Sequence, residues 1–426
     1  MGARNAGFFR FLCKTLNSCG KTLLLSLACF LLINSIVRGC DSNHSRLSEI
    51  LRNGADYFMD SRLDFLYLTE NEAIQAGAGD MQNCISVMEE VFHLLGQGDY
   101  LMGTPNHNAH GIKIYFPKTT PFPNMPIKGP DRRFMALVAY LGGRFNVCGE
   151  KWYGSNIANR DRGLPRSILT TLLNDPDTGA PIAFLSANCL SATRTGAIPA
   201  VGAKYCAKKD TRVLTIIGIG AVGRSCLTAF MSVLPSIQEI RVYDLNREAS
   251  AAYCAELEKH YGVRAVSATC EEDAVRGADV INVVTSGAVS PKIEDDWLKE
   301  GALLSLPASA DISKELMQES RILVDNWEMY EAYAQELRDM PGGFGANLSG
   351  ICGFMMDMVW NGELSKENII NLGDVVCGKV VIPNDGKRTI FIMDGMPVED
   401  VAWGYTIYKN ALQMGLGTKL NLWDKE

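Results

Sequence analysis

VLTIIGIGAVGRS, residues 213–225, decides how this chain is read. An apolar run ends in three glycines spaced G-x-G-x-x-G, at Gly218, Gly220 and Gly223. Alone the spacing is weak, because strand ends often carry glycine. Here its context meets three tests together: the motif follows an apolar strand, opens a helix, and lies 21 residues before Asp244 at the end of the next strand, IRVYD. That is the arrangement a dinucleotide requires. Gly218 permits the tight turn, Gly220 lets backbone approach a pyrophosphate, and Gly223 lets helix and strand pack closely. Phosphate would sit at the helix N-terminus over Ala221 and Val222, where unpaired N–H groups and the dipole favour an anion. Asp244 would accept from ribose hydroxyls and repel a 2′-phosphate. That favours NAD, while Arg247 close behind keeps NADP open.

Outward from the motif, strands and helices alternate. IRVYD, VRAVSA, VINVVT, LLSLP and ILVD read as strands, and GRSCLTAFMSVLP and REASAAYCAELEKHYG as helices. The pattern implies βαβ units and a parallel sheet. Upstream, residues 46–100 read as helical, FMALVAYL as a strand, and PRSILTTLLND with PIAFLSANCL as a hairpin about the turn 175–179. A helix is expected from Thr193 through Lys208. Past Gly342 the pattern changes, and ENIINLGDVVCGK and VEDVAWGYTIYKNALQMG read as helices.

The 426 residues suit two domains, with 47% hydrophobic and 21% charged residues as in a folded globular protein. A net charge of −7 without basic runs argues against nucleic acid. Five histidines without a compact ligand spacing argue against a catalytic metal. Thirteen cysteines, odd in number and without C-x-x-C, suit reduced thiols in a compartment such as the cytoplasm. At the N-terminus, Arg4, Arg10, Lys14 and Lys21 precede a 16-residue apolar run, 22–37. It is signal-like and short of the about 20 residues of a spanning helix, so residues 1–45 are read as a targeting or anchor segment with membrane contact through 22–37.

Four ordered segments resemble the ornithine cyclodeaminase/mu-crystallin family: GEKWYGSNIANRDRGLP (149–165), LLNDPDTGAPIAFLSANCLSATRTGA (172–197), GADVINVVTSGAVSPKI (277–293) and GMPVEDVAWGYTIYKNA (395–411). KWYGSN and AYLGGRFN look closest to the branch of N-(2-amino-2-carboxyethyl)glutamate dehydrogenases. The resemblance implies an α/β chain in which a Rossmann-type NAD-binding domain, 195–344, is inserted in a split α+β substrate-binding and dimerisation domain, 46–194 plus 345–426. It also implies a homodimer acting on a small amino or imino acid.

By the same resemblance, Lys151 holds the substrate carboxylate and Arg194 clamps it bidentately beside the nicotinamide. Asp311, in LPASADISKEL, stands for the catalytic aspartate that exchanges a proton with the substrate amine. Its segment is shorter than the family's G-x-D-x-P-x-K-x-E-L, and the alternative is a helix N-cap. Thr285 and Ser286 line the cofactor, and Thr195 touches its phosphates. Two departures stand out. Where the family carries an early carboxylate-gripping arginine, PNHNAHGIKIYFP offers Lys113 or His110, with Arg132 and Arg133 further on. Arg166 replaces a small hydroxyl residue, which suits a substrate with a second acidic group. The expected chemistry is hydride abstraction at Cα to an imine, followed by cyclodeamination or by net redox as in an N-substituted amino acid dehydrogenase or ketimine reductase. A mu-crystallin-like NADP-dependent ligand-binding protein is the alternative.

Overall fold

The computed structural model describes residues 62–424 except 130, 287–288, 338–343, 345–347 and 349. The segment expected to target or anchor the chain lies outside the described residues, as does the pattern change near Gly342. Asp64–Asn421 make one compact unit; of a second, only residues 62, 63 and 422–424 are described, with Arg62 Nε 4.0 Å from Asp424 Oδ1. Among the described residues no helix is long and apolar enough to cross a membrane.

Two sheets organise the larger unit. The first contains β1 (Leu63–Leu68), β2 (Tyr100–Met102), β3 (Ile112–Tyr115), β4 (Arg133–Leu141), β5 (Val147–Ser155), β6 (Ser167–Asn174) and β7 (Pro181–Ser186). They run in the order β1-β7-β6-β5-β4-β2, with β3 also on β4. All pairings are antiparallel except that of β1 with β7. LDFLYL is thus a strand within a stretch expected to be helical. The helical parts of that stretch are the short helix Glu70–Gln75 and α1 (Met81–Gln97), whose apolar positions face the core.

The second sheet is parallel throughout. Its strands are β8 (Val213–Ile217), β9 (Glu239–Tyr243), β10 (Arg264–Ser267), β11 (Val280–Val283), β12 (Leu303–Leu306), β13 (Arg321–Val324), β14 (Ile369–Asn371) and β15 (Thr389–Ile392). The order is β10-β9-β8-β11-β12-β15-β13-β14. Strands β11, β12, β13 and β15 are buried at every residue, which is why each reads as an apolar block without alternation. β14 and β15 come from beyond residue 345, so the sheet draws on both sides of the expected boundary at 344. TIFI is buried on both faces and pairs with β12 and β13 at once. ENIINLGDVVCGK, expected helical, instead divides into β14 and the short helix Leu372–Val376.

The helices that position the site are α2 (Asn188–Cys206), α3 (Ala221–Val233), α4 (Arg247–Tyr261), α5 (Trp327–Leu337), α6 (Gly350–Trp360) and α7 (Pro397–Met414). α2 begins five residues before Thr193. Asn188 ties its start to β6, accepting from Leu169 N at 2.9 Å and donating to Ser167 O at 2.8 Å. α7 runs under the first sheet, anchored by the buried Trp403, whose indole donates to Ala78 O at 3.1 Å.

Candidate active site

After β8 the chain builds β9 and β10 on one side and β11 on the other. The glycine turn therefore lies at the point where strand order reverses, the usual crevice for a ligand in an open parallel sheet. Gly218 has φ +100°, and a Cβ there would meet Val284 O at 2.9 Å. At Gly223 a Cβ would lie 2.0 Å from Gly218 O, so only glycine lets α3 leave the strand this closely. At Gly220 a Cβ would meet nothing within 4 Å. The space in front of the turn is open and faces the first turn of α3, which fits a bound pyrophosphate. Asp244 braces the same turn, accepting from Ile219 N at 3.0 Å and Asn246 N at 2.9 Å. Arg247 donates to the carbonyls of Ala268 and Thr269 and lies 4.8 Å over the Tyr243 ring.

The turn forms one wall of a cleft of about 620 Å³ whose opposite wall is the first sheet. Gly220, Ala221, Val222, Gly223 and Ser286 line it, together with Lys151, Arg166, Arg194 and Thr195. Gly196 brings α2 against α3: a Cβ there would lie 2.4 Å from Ser225 Cβ. That approach sets Thr195 and Arg194 beside the turn. Gly218, Asp244, Thr285 and Lys113 are not among the residues that line it. Lys113 lies 5.3 Å over the Tyr333 ring, from where its charge still reaches Asp394.

Lys151 projects from β5 and Arg194 from the first turns of α2, and both are buried against the start of α7. Lys151 Nζ donates to Asp400 Oδ2 at 2.6 Å. Arg194 donates to Asp400 through Nε at 3.0 Å and Nη2 at 2.9 Å, and to Glu399 through Nη1 at 2.7 Å. Buried charges persist only when paired, and this quartet is paired internally. Lys151 uses one of its three N–H donors on protein and Arg194 three of five, so both retain donors for a ligand. Burial, with Arg194 alongside, pushes Lys151 down to about 8 against the pull of Asp400. Burial pushes Glu399 up to about 8 against the pull of Arg194.

Asp311 does not line the cleft. It is exposed in a separate depression with Val289, Ser290 and Phe354, where its backbone pairs with residues 291–293, and the following helix is capped by Ser313. The chain leaves β12 at Leu306 and carries Asp311 to that edge. The carboxylate that lines the cleft is Asp394, just after β15. It accepts from Tyr333 OH at 2.6 Å and lies 3.8 Å from His110 Nδ1. Burial alone would raise Asp394, but the His110 ring, Lys113 and the Tyr333 hydroxyl hold it below the usual carboxylate range. Burial pushes His110 down to about 4 against the pull of Asp394. Asp325, at the end of β13, fixes the turn by accepting from Asp394 N at 2.8 Å and Gly395 N at 2.9 Å. The Glu399–Asp400 pair carried only a weak sequence signal: two adjacent carboxylates, two and three residues after the proline that opens a largely apolar helix, which the helix dipole also favours. Asp394 had none, since its partners come from distant segments.

This architecture matches a known family. A model of the ornithine cyclodeaminase/mu-crystallin family matches residues 78–415, and the chain belongs to that family. Among similar proteins, N-((2S)-2-amino-2-carboxyethyl)-L-glutamate dehydrogenase of Staphylococcus aureus is 28% identical over 84% of this chain and 99% of its own. Alanine dehydrogenase of Archaeoglobus fulgidus is 27% identical over 80% of this chain and 98% of its own. Of solved structures, an archaeal alanine dehydrogenase dimer with bound NAD superposes with a TM-score of 0.67 at 25% identity, over 84% of this chain and 99% of its own. The Thermococcus litoralis Δ1-pyrroline-2-carboxylate reductase, solved with NADH and L-proline, gives 0.68 at 23% identity, over 84% of this chain and 100% of its own, a likeness of fold.

Proposed function

We propose that this chain is a nicotinamide-dependent oxidoreductase acting at the α-carbon of an amino or imino acid. The carrying observation is that two buried cations, Lys151 and Arg194, share one cleft with a glycine turn open to a pyrophosphate. Gly220–Gly223 and Asp244 would hold the dinucleotide, which supplies the hydride acceptor or donor. Lys151 and Arg194 orient the substrate by its α-carboxylate. Asp394, held ionised, is placed to take a proton from the substrate nitrogen or return it. Net redox is favoured over cyclodeamination, because Arg160, a lining cation without an ion-pair partner among the described residues, repels the side-chain ammonium a cyclising diamine must bring. The relatives named as dehydrogenases support this reading. Asp244, with Arg247 held by backbone carbonyls, favours NAD.

The reading includes a homodimer. Phe134, Val138, Trp152 and Ile168 lie on the face of the first sheet turned away from the cleft and are 37%, 41%, 40% and 50% exposed. Phe134 stacks on Trp152 at 5.8 Å. An apolar sheet face of this kind calls for a covering surface, and a second copy supplies it. The test of activity is titration of the full chain with NADH and NADPH by nicotinamide fluorescence, followed by a screen of 2-oxo acids with amines at 340 nm. Absence of binding to either nucleotide overturns the reading.

A further inference from the structure

The cleft has a charged end beyond the α-carboxylate clamp. Along β5, Lys151 stands level with Leu137 and Thr171, Tyr153 with Met135 and Leu169, and Ser155 with Arg133 and Ser167. At roughly 3.3 Å per residue, Arg133 is anchored about 13 Å from Lys151, with an apolar band between them. At the far end Arg133 Nη1 and Arg166 Nε share one carboxylate, Asp131, at 2.8 and 2.5 Å. Arg160 joins them in lining the cleft and has no ion-pair partner among the described residues. The loop that carries Arg160 is fixed: Asn156 caps its 3-10 turn through Ala158 N at 3.1 Å, Asn159 donates to Pro165 O at 3.1 Å, and Asn156 N donates to Arg166 O at 2.9 Å. Arg160 is exposed at the rim of this end on a loop whose backbone is fixed, and a planar guanidinium with spare donors and surplus positive charge matches a carboxylate.

We infer that Arg160, with Arg166 and Arg133, forms a second anion subsite, and that the substrate carries a further carboxylate separated from its α-carboxylate by a hydrocarbon segment. This rests on the hydride-transfer reading of the cleft and narrows its substrate to amino or imino acids that carry a second, distal carboxylate.

The test uses the full chain with saturating NADH and calorimetric titration of two pairs of 2-oxo acids. 2-Oxoglutarate is set against 2-oxopentanoate, and 2-oxoadipate against 2-oxohexanoate, so each pair differs in the distal carboxylate. At least one dicarboxylate is expected to bind about 30-fold tighter than its partner, the range of a charge-assisted hydrogen-bonded pair. Arg160→Gln is expected to shrink that ratio to below about threefold while NADH affinity holds. Equal affinities within both pairs in the wild type overturn the subsite. So does a loss of NADH affinity in Arg160→Gln that matches the loss for dicarboxylates, because the cations would then serve the cofactor. Failure to bind NADH overturns the hydride-transfer reading instead, and the same ratio measured without nucleotide still decides the subsite.

Discussion

Lys151 and Asp400 meet at 2.6 Å across 249 positions of sequence, and both side chains are buried. Their contact joins β5 to the first turn of α7 and sets a cation at the cleft wall. Lys151→Met therefore strips a buried carboxylate of one partner and costs about 3 kcal/mol of stability in urea unfolding. It also abolishes turnover while NADH titration stays near wild type. Unchanged turnover would remove Lys151 from the substrate clamp.

Glu399 adds a pH signature. In the folded chain its carboxyl titrates near 8, against an ordinary value of 4.5. Between those values the native state keeps a proton that the unfolded state has released. Its contribution to stability therefore declines as pH rises from about 4.5 to about 8 and is level above. Glu399→Gln mimics the protonated form, so the variant gains on the wild type across that window. Denaturant curves at pH 5, 7 and 9 check the slope, and a difference independent of pH would refute it.

The glycine turn separates folding from binding. Gly223→Ala drives a Cβ into Gly218 O and costs about 1–3 kcal/mol as strand and helix are forced apart, read as a fall in Tm. Gly220→Ala meets no protein atom, so its Tm holds while NADH affinity falls as the methyl enters the space assigned to phosphate. A Gly220→Ala protein that binds NADH normally would move the pyrophosphate elsewhere.

Asp244→Ser removes the charge facing the adenosine ribose and one brace of the turn. NADH affinity is expected to fall about tenfold, with the NADPH-to-NADH preference shifting toward NADPH. Fluorescence titration with both nucleotides measures it.

Trp152→Glu and Val138→Lys place charge on the outer face of the first sheet. Light scattering is expected to show a shift from two copies to one with secondary structure retained. A wild type that is itself monomeric would remove the homodimer from the proposal.

The run from Val213 to Val324 was legible because each buried parallel strand is a short apolar block bounded by turns and helices. LDFLYL and TIFI were not. LDFLYL adjoins amphipathic helices and takes the extended form through pairing with distant segments, PIAFLS among them. The four residues of TIFI carry no period and gain their identity from β12 and β13. In the site, the family resemblance nominated Lys151, Arg194 and Arg166 and the motif spacing nominated the glycine turn; the three side chains and Gly220–Gly223 line one cleft. Asp311 was nominated by position after a strand, but the path of the loop decides which carboxylate reaches the cleft, and that path depends on tertiary contacts. Asp394 gains its setting from His110 and Tyr333, far away in the chain.

The position of β15 constrains biosynthesis. By the time Val324 leaves the ribosome, β12 and β13 both exist, yet the strand that must separate them is still untranslated. Among the described residues β13 pairs only with β15 and β14, so its side facing β12 waits, exposed, for some seventy further residues. A stop codon shortly before Thr389 would leave a nascent product with an unfilled slot beside β12, a target for chaperones and proteases rather than a free-standing nucleotide-binding fragment.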